Sequence, residues 1–141
     1  MKDQQINRAA RIAMDIMGAI CDADEEAVRE GFPERIREYC EREGVLDGME
    51  VHRLREELMQ EAGLEERSFF YKEIGIRIRP KEQFIEQEDE VHRTENCSIL
   101  FQIGKSFWQG HLGWPFYIDL HLEEDGEWKL DELWIREYLI R

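Results

Sequence analysis

Basic side chains are in short supply in this chain. Its 141 residues carry 19 Lys and Arg against 33 Asp and Glu, a formal net charge of -14 with histidine neutral. A field of that sign repels nucleic acid and anionic membrane and attracts cationic proteins. Cysteine is scarce too. Cys21, Cys40 and Cys97 are odd in number, far apart and in no C-x-x-C pair, so a disulfide framework is not expected and all three read as reduced thiols, buried or half-buried. No run of about eighteen apolar residues occurs, so no membrane-spanning helix is expected. The first residues, MKDQQINRAARIAMDIM, space their apolar side chains with charges and lack the continuous apolar stretch of a signal peptide. A mature protein that begins near Met1 and stays in the cytoplasm follows as the expectation.

Motifs are missing as well. Gly44, Gly48 and Gly63 read as helix stops and not as a phosphate-binding glycine loop. No G-x-S-x-G elbow is present. His52, His92, His111 and His121 show none of the spacings that assemble a zinc site. The expectation is no metal, no cofactor and no catalytic motif, hence a non-enzyme.

What is present suffices for a core. Hydrophobic residues make up 42% of the chain and charged ones 37%, and the apolar residues are grouped and periodic, so this is not a disordered acidic tail. The length fits one domain over residues 1–141, helical over about 4–63 and β over about 68–137. In residues 5–20, Ile6, Ala9, Ala13, Ile16, Met17 and Ile20 recur at helical spacing and predict one buried helical face. Asp22 and Asp24 open a short second helix that Gly31 stops. Pro33 stands where a helix start tolerates a missing N–H, and the helix after it ends at Gly44. A fourth helix covers residues 49–62, with Val51, Leu54, Leu58 and Met59 inward.

Beyond residue 66 the period changes to two. Phe70, Ile74, Ile76 and Ile78 alternate with Tyr71, Glu73, Arg77 and Arg79, which predicts a strand with the isoleucines buried, ended by Pro80. Further strands are expected over residues 83–93, from Ile99 onward, over Phe116, Ile118, Leu120 and Leu122, and from Trp128 through Leu130, Leu133 and Ile135. Glu124-Asp125-Gly126-Glu127 reads as a tight primed hairpin turn. Helices first and an antiparallel meander second predict an α+β fold, with N-terminal helices packed on an antiparallel sheet of four to five strands.

This order of elements, the acidic step Asp22-Ala23-Asp24-Glu25-Glu26-Ala27 and the closing Asp125-Gly126-Glu127-Trp128-Lys129-Leu130 resemble the NTF2-like (cystatin-like) superfamily. The resemblance implies a curved, cone-shaped sheet with a pocket between sheet and helices. It also implies a scaffold that hosts small enzymes, ligand-binding proteins and protein-binding modules, bacterial toxin-immunity proteins among them.

Three groups of residues are candidates for function. Tyr117, Asp119 and His121 share one face of a strand at ~7 Å spacing. Asp119 orienting His121 as a base, with Tyr117 donating, is the catalytic reading, and such a pair inside the pocket is what the resemblance implies for an enzyme. The other reading leaves all three in water while Phe116, Ile118 and Leu120 face the core. Trp108 and Trp114 flank a glycine-rich connection, either as anchors of a binding surface or as a seal on the end of the core. Charge forms the third group, in the clusters that contain Glu86, Glu88, Asp89 and Glu90 and, further on, Glu123, Glu124 and Asp125. These are expected to dock a basic protein, the leading expectation being a non-catalytic inhibitor or immunity protein that neutralises a basic toxin. Arg77 and Arg79 stand against a uniformly acidic face, and a homodimer through the open sheet face is a further possibility. The alternative is an NTF2-like small-molecule binder or enzyme whose pocket includes Tyr71, Trp114, Asp119 and His121.

Overall fold

A computed structural model describes residues 3–46, 49–63, 70–82, 93–104 and 114–140. Four helices come first: α1 (Asp3–Cys21), α2 (Glu25–Glu30), α3 (Glu34–Glu43) and α4 (Met49–Glu61). Four strands follow, β1 (Phe70–Glu82), β2 (Arg93–Gly104), β3 (Trp114–Leu122) and β4 (Trp128–Leu130), and then a fifth helix, α5 (Glu132–Tyr138). The strands form one antiparallel sheet in the order β1-β2-β3-β4. The fold is therefore α+β.

Local chemistry sets the helix ends. Asp24 caps α2 by accepting from the backbone N–H of Ala27 at 3.3 Å, which satisfies one of the orphan donors of the first turn. Gly44 closes α3 at φ 67, a left-handed position that costs glycine little. On α1 the residues Ala9, Ala13, Ile16, Met17 and Ile20 are all buried, as the sequence spacing predicts.

The inner face of the sheet receives these helices. Ile99 stands opposite Ile118, Phe101 opposite Phe116 and Cys97 opposite Leu120. These six are essentially inaccessible and join Met17, Ile20, Phe32 and Leu54 in one core. Two large aromatics complete it with their polar ends satisfied. The Trp128 indole donates to the Gln5 carbonyl at 3.0 Å, and that of Trp134 to the Tyr117 carbonyl at 2.7 Å. The tightest approach is at Gly31, whose carbonyl accepts from Leu130 N at 2.7 Å and so ties the α2–α3 turn to β4.

Several sequence expectations need correction. Pro80 does not end β1, which runs on to Glu82, and β2 begins at Arg93, well before Ile99. The ladder between them tolerates Pro80 because β1 is an edge strand with one side unpaired. A bulge between Glu73 and Gly75 shifts the register, so Tyr71 and Glu73 pair with Ile103 and Phe101 while Ile76 pairs with Ile99. One extra residue moves the rest of a strand to the other face. Tyr71 therefore packs edge-on against Phe101, with ring centroids 6.1 Å apart, whereas Ile74, expected inside, is 47% exposed. Ile76, in the core row but at the sheet edge, is 38% exposed.

The end of the chain differs most. Leu133 and Ile135 do not extend β4; they lie on α5. Asp131 is the reason, because its carboxylate accepts from Leu133 N at 2.9 Å and starts a helix there. Trp134 and Tyr138 then fold over Phe116, with centroids 6.1 Å and 5.2 Å from its ring. From α4, Arg53 donates to the Tyr138 and Leu139 carbonyls at 2.7 Å and 3.2 Å. A cation at the negative end of α5 completes its C-terminal turn.

Candidate functional site

The acidic turn between β3 and β4 is built by its backbone. Glu123 N donates to the Glu127 carbonyl at 2.9 Å, and Gly126 N donates to the Glu123 carbonyl at 3.0 Å. Gly126 sits at φ 85, while Asp125 has an ordinary negative φ. A primed two-residue turn needs positive φ at both central positions. The loop is instead a three-residue hairpin ending in a left-handed glycine, which corrects the turn type expected from Asp-Gly. Asp125 also accepts from Glu127 N at 2.9 Å, so the tip is braced by a side chain as well.

The carboxylates here divide into two sets. Glu123 and Glu132 are engaged by Arg35 of α3, at 3.0 Å and 2.8 Å. Glu124, Asp125 and Glu127 are exposed and form no ion pair among the described residues. The tip is thus a fixed acidic point. Sequence reasoning found the charges but missed Arg35, which only the fold brings near.

The Tyr117, Asp119 and His121 row lies on the face of the sheet opposite the helices. Ladder pairing puts Leu100, Ser98 and Asn96 across from them. Asp119 accepts from the Ser98 hydroxyl at 2.5 Å. His121 Nδ1 is 2.8 Å from Asn96 Oδ1, and Asn96 Nδ2 donates to Asp131 Oδ2 at 3.1 Å. A carboxylate only accepts, so it fixes the amide with its oxygen toward His121. Nδ1 is then the donor, and Nε2 makes no hydrogen bond among the described residues. The two residues singled out as a base and its orienter therefore bond to different partners. Asn96, Ser98 and Asp131 are the buried polar groups of this cluster, at 9%, 8% and 6% exposure. Together they tie β2, β3 and the cap of α5 into one hydrogen-bonded unit. Asn96 and Asp131 carry no motif, so nothing local in the sequence marks them.

Among the described residues, two cavities can be placed elsewhere. One lies between α2, α3 and the segment after α3, the other between that segment, α4 and the end of α5. Neither is lined by Tyr71, Asp119 or His121. Among the described residues no three His, Cys, Asp or Glu converge as a metal site, and no helix is long and apolar enough to cross a membrane.

The three cysteines are free thiols. Burial pushes Cys21 up to about 12 and Cys97 up to about 11, with Asp22 and Asp119 adding to the respective shifts. Cys40 is raised by burial as well. A thiol that resists ionisation is a poor nucleophile at neutral pH.

Of the expected docking residues, Glu86, Glu88, Asp89, Glu90 and Trp108 lie outside the described residues. Trp114 stands opposite Ile103 at the start of β3. Glu123, Glu124 and Asp125 come together at the hairpin tip. No protein-family model, curated protein or solved structure matches the chain.

Proposed function

We propose that this chain is a non-catalytic acidic protein-binding domain that docks a basic protein through the β3–β4 hairpin. The class that fits best is an inhibitor or immunity protein that neutralises a cationic toxin. One observation carries the reading: Glu124, Asp125 and Glu127 are exposed, without counter-ions among the described residues, on a turn that two backbone hydrogen bonds and the Asp125 side chain hold in place. Fixed charges of one sign steer an oppositely charged partner and define its orientation. Preorganisation also spares the partner the cost of ordering a loop.

The net charge of -14 supports the same direction. Part of it is neutralised within the molecule, since Arg35 holds Glu123 and Glu132. The steering set is accordingly Glu124, Asp125 and Glu127, and Glu123 serves to anchor the turn to α3.

Titration calorimetry against the products of the genes beside this one is the test. A 1:1 complex with a basic product, weakening as salt rises from about 50 to 300 mM, is expected, because added salt shortens the Debye length toward a few ångströms. Absence of a complex with any of these products at low salt would overturn the reading.

A further inference from the structure

Three arginines of the described residues pair with carboxylates. Arg35, Arg42 and Arg53 each make an ion pair, with Glu123 and Glu132, with Glu43 and with Glu57. Arg29 and Arg37 do not, among the described residues. Both line a single cavity of about 230 Å³ between α2, α3 and the segment after α3. The Nε of Arg37 is buried and has no hydrogen-bond partner among the described residues. Glu41, one helical turn beyond Arg37, also borders the cavity, yet it is exposed and makes no bond to Arg37.

The rest of the wall is apolar. Phe32 and Leu46 are 1% and 5% exposed, and Val45 packs beside them against the core. Leu46 adopts φ 58, a left-handed conformation that a leucine holds only where its surroundings enforce it. The cavity is therefore a largely apolar pocket lined by two cationic side chains and one carboxylate, Glu41. Arg29 and Arg37 form no ion pair with Glu41 or with any other described residue, which leaves two cations in the pocket to meet an anion supplied from outside.

We propose that this cavity binds a small organic carboxylate with a short hydrocarbon tail, held by Arg37 and Arg29. A carboxylate accepts two parallel N–H bonds from a guanidinium, the group that Arg29 and Arg37 each bring to the wall. The tail covers Phe32, Val45 and Leu46, as apolar pocket walls with few polar groups require. Inorganic phosphate meets the charges but leaves that apolar wall against water. The site lies apart from the hairpin tip, and it stands or falls independently of the proposed partner.

The test is calorimetry and thermal unfolding with straight-chain carboxylates from acetate to octanoate, with inorganic phosphate as the control anion. Hexanoate is expected to bind with Kd below about 1 mM, and affinity is expected to rise with chain length until the cavity is full. Arg37→Gln should weaken it by about ten-fold or more, and Arg37→Lys should fall between, because lysine keeps the charge but not the fork. Far-UV circular dichroism checks that each variant folds. Should the arginine variants fail to fold, Val45→Trp keeps both cations, fills the cavity and should abolish binding. Four results would each overturn the proposal: no binding at any chain length, Arg37→Gln binding equal to wild type, phosphate binding as tightly as hexanoate, or Val45→Trp binding undiminished.

Discussion

Replacing Asp131 by alanine should cost about 2–4 kcal/mol of stability. The sum comes from two losses. The Oδ1 atom caps α5 by accepting from Leu133 N at 2.9 Å, and losing an N-cap of this kind costs about 1 kcal/mol. The Oδ2 atom accepts from Asn96 Nδ2 at 3.1 Å. Asn96 is only 9% exposed, so its amide is left buried without that acceptor, a cost of about 1–3 kcal/mol. Asp131→Asn should recover only the cap, about 1 kcal/mol, since its carbonyl oxygen replaces Oδ1 while its NH2 group in place of Oδ2 cannot accept from Asn96 Nδ2. Urea unfolding followed by the fluorescence of buried Trp128 and Trp134 gives the value directly, with the slope m unchanged if only stability moves. In Asn96→Ala/Asp131→Ala the orphaned donor is gone, so the double variant should be at least about 1 kcal/mol more stable than the sum of the single losses implies. A cost below about 0.5 kcal/mol for Asp131→Ala, or strict additivity in the cycle, would refute the claim that this cluster staples the sheet to α5.

Gly31→Ala should cost about 1–3 kcal/mol, because a Cβ there would lie 3.1 Å from the Val28 carbonyl and 3.2 Å and 3.3 Å from Ile16 and Leu130 methyls. Gly75→Ala, with nothing within 4 Å, should be neutral or slightly stabilising, and chemical denaturation compares the two. Arg35→Ala should change stability by less than about 1 kcal/mol, since exposed ion pairs contribute little, yet it frees Glu123 and Glu132 and should speed association with a cationic partner in stopped flow. Burial places the Cys97 and Cys21 thiols at about 11 and about 12, above the ~8.5 of an unfolded cysteine. Their contribution is complete below the unfolded value and is lost as pH rises through the folded ones, so the urea midpoint should fall between pH ~9 and ~12. A Cys21→Ser/Cys97→Ala variant should show a shallower fall; an identical one contradicts the assignment.

The helices were legible in sequence because their signals are local. Ala9, Ala13, Ile16, Met17 and Ile20 sit on one face at helical spacing, and Asp24 and Gly44 mark ends by side-chain and backbone chemistry. The bulge in β1 left no mark, because Ile74, the residue in the bulge, continues the two-residue step of Ile76 and Ile78 that follow it. Helix α5 was misread as strand for a related reason. Trp128, Leu130, Leu133 and Ile135 alternate closely enough to mimic a strand, while Trp134, Ile135, Tyr138 and Leu139 carry the overlapping helical pattern. At the candidate site Glu123, Glu124 and Asp125 were visible as charge. Arg35 lies far from them in sequence and approaches only when α3 packs beside the hairpin. Asn96 and Asp131, 35 residues apart, meet through strand register alone.

The most direct test of the docking claim is the association rate of the wild-type chain and of Glu124→Gln/Asp125→Asn/Glu127→Gln with a basic protein that the wild-type chain binds. These changes keep size, and asparagine at position 125 retains the acceptor that braces Glu127 N. If the hairpin tip steers docking, the triple variant associates about ten-fold more slowly at ~50 mM salt, the difference shrinks at ~300 mM, and dissociation changes far less. Equal association rates at low salt would contradict the proposed role of the tip.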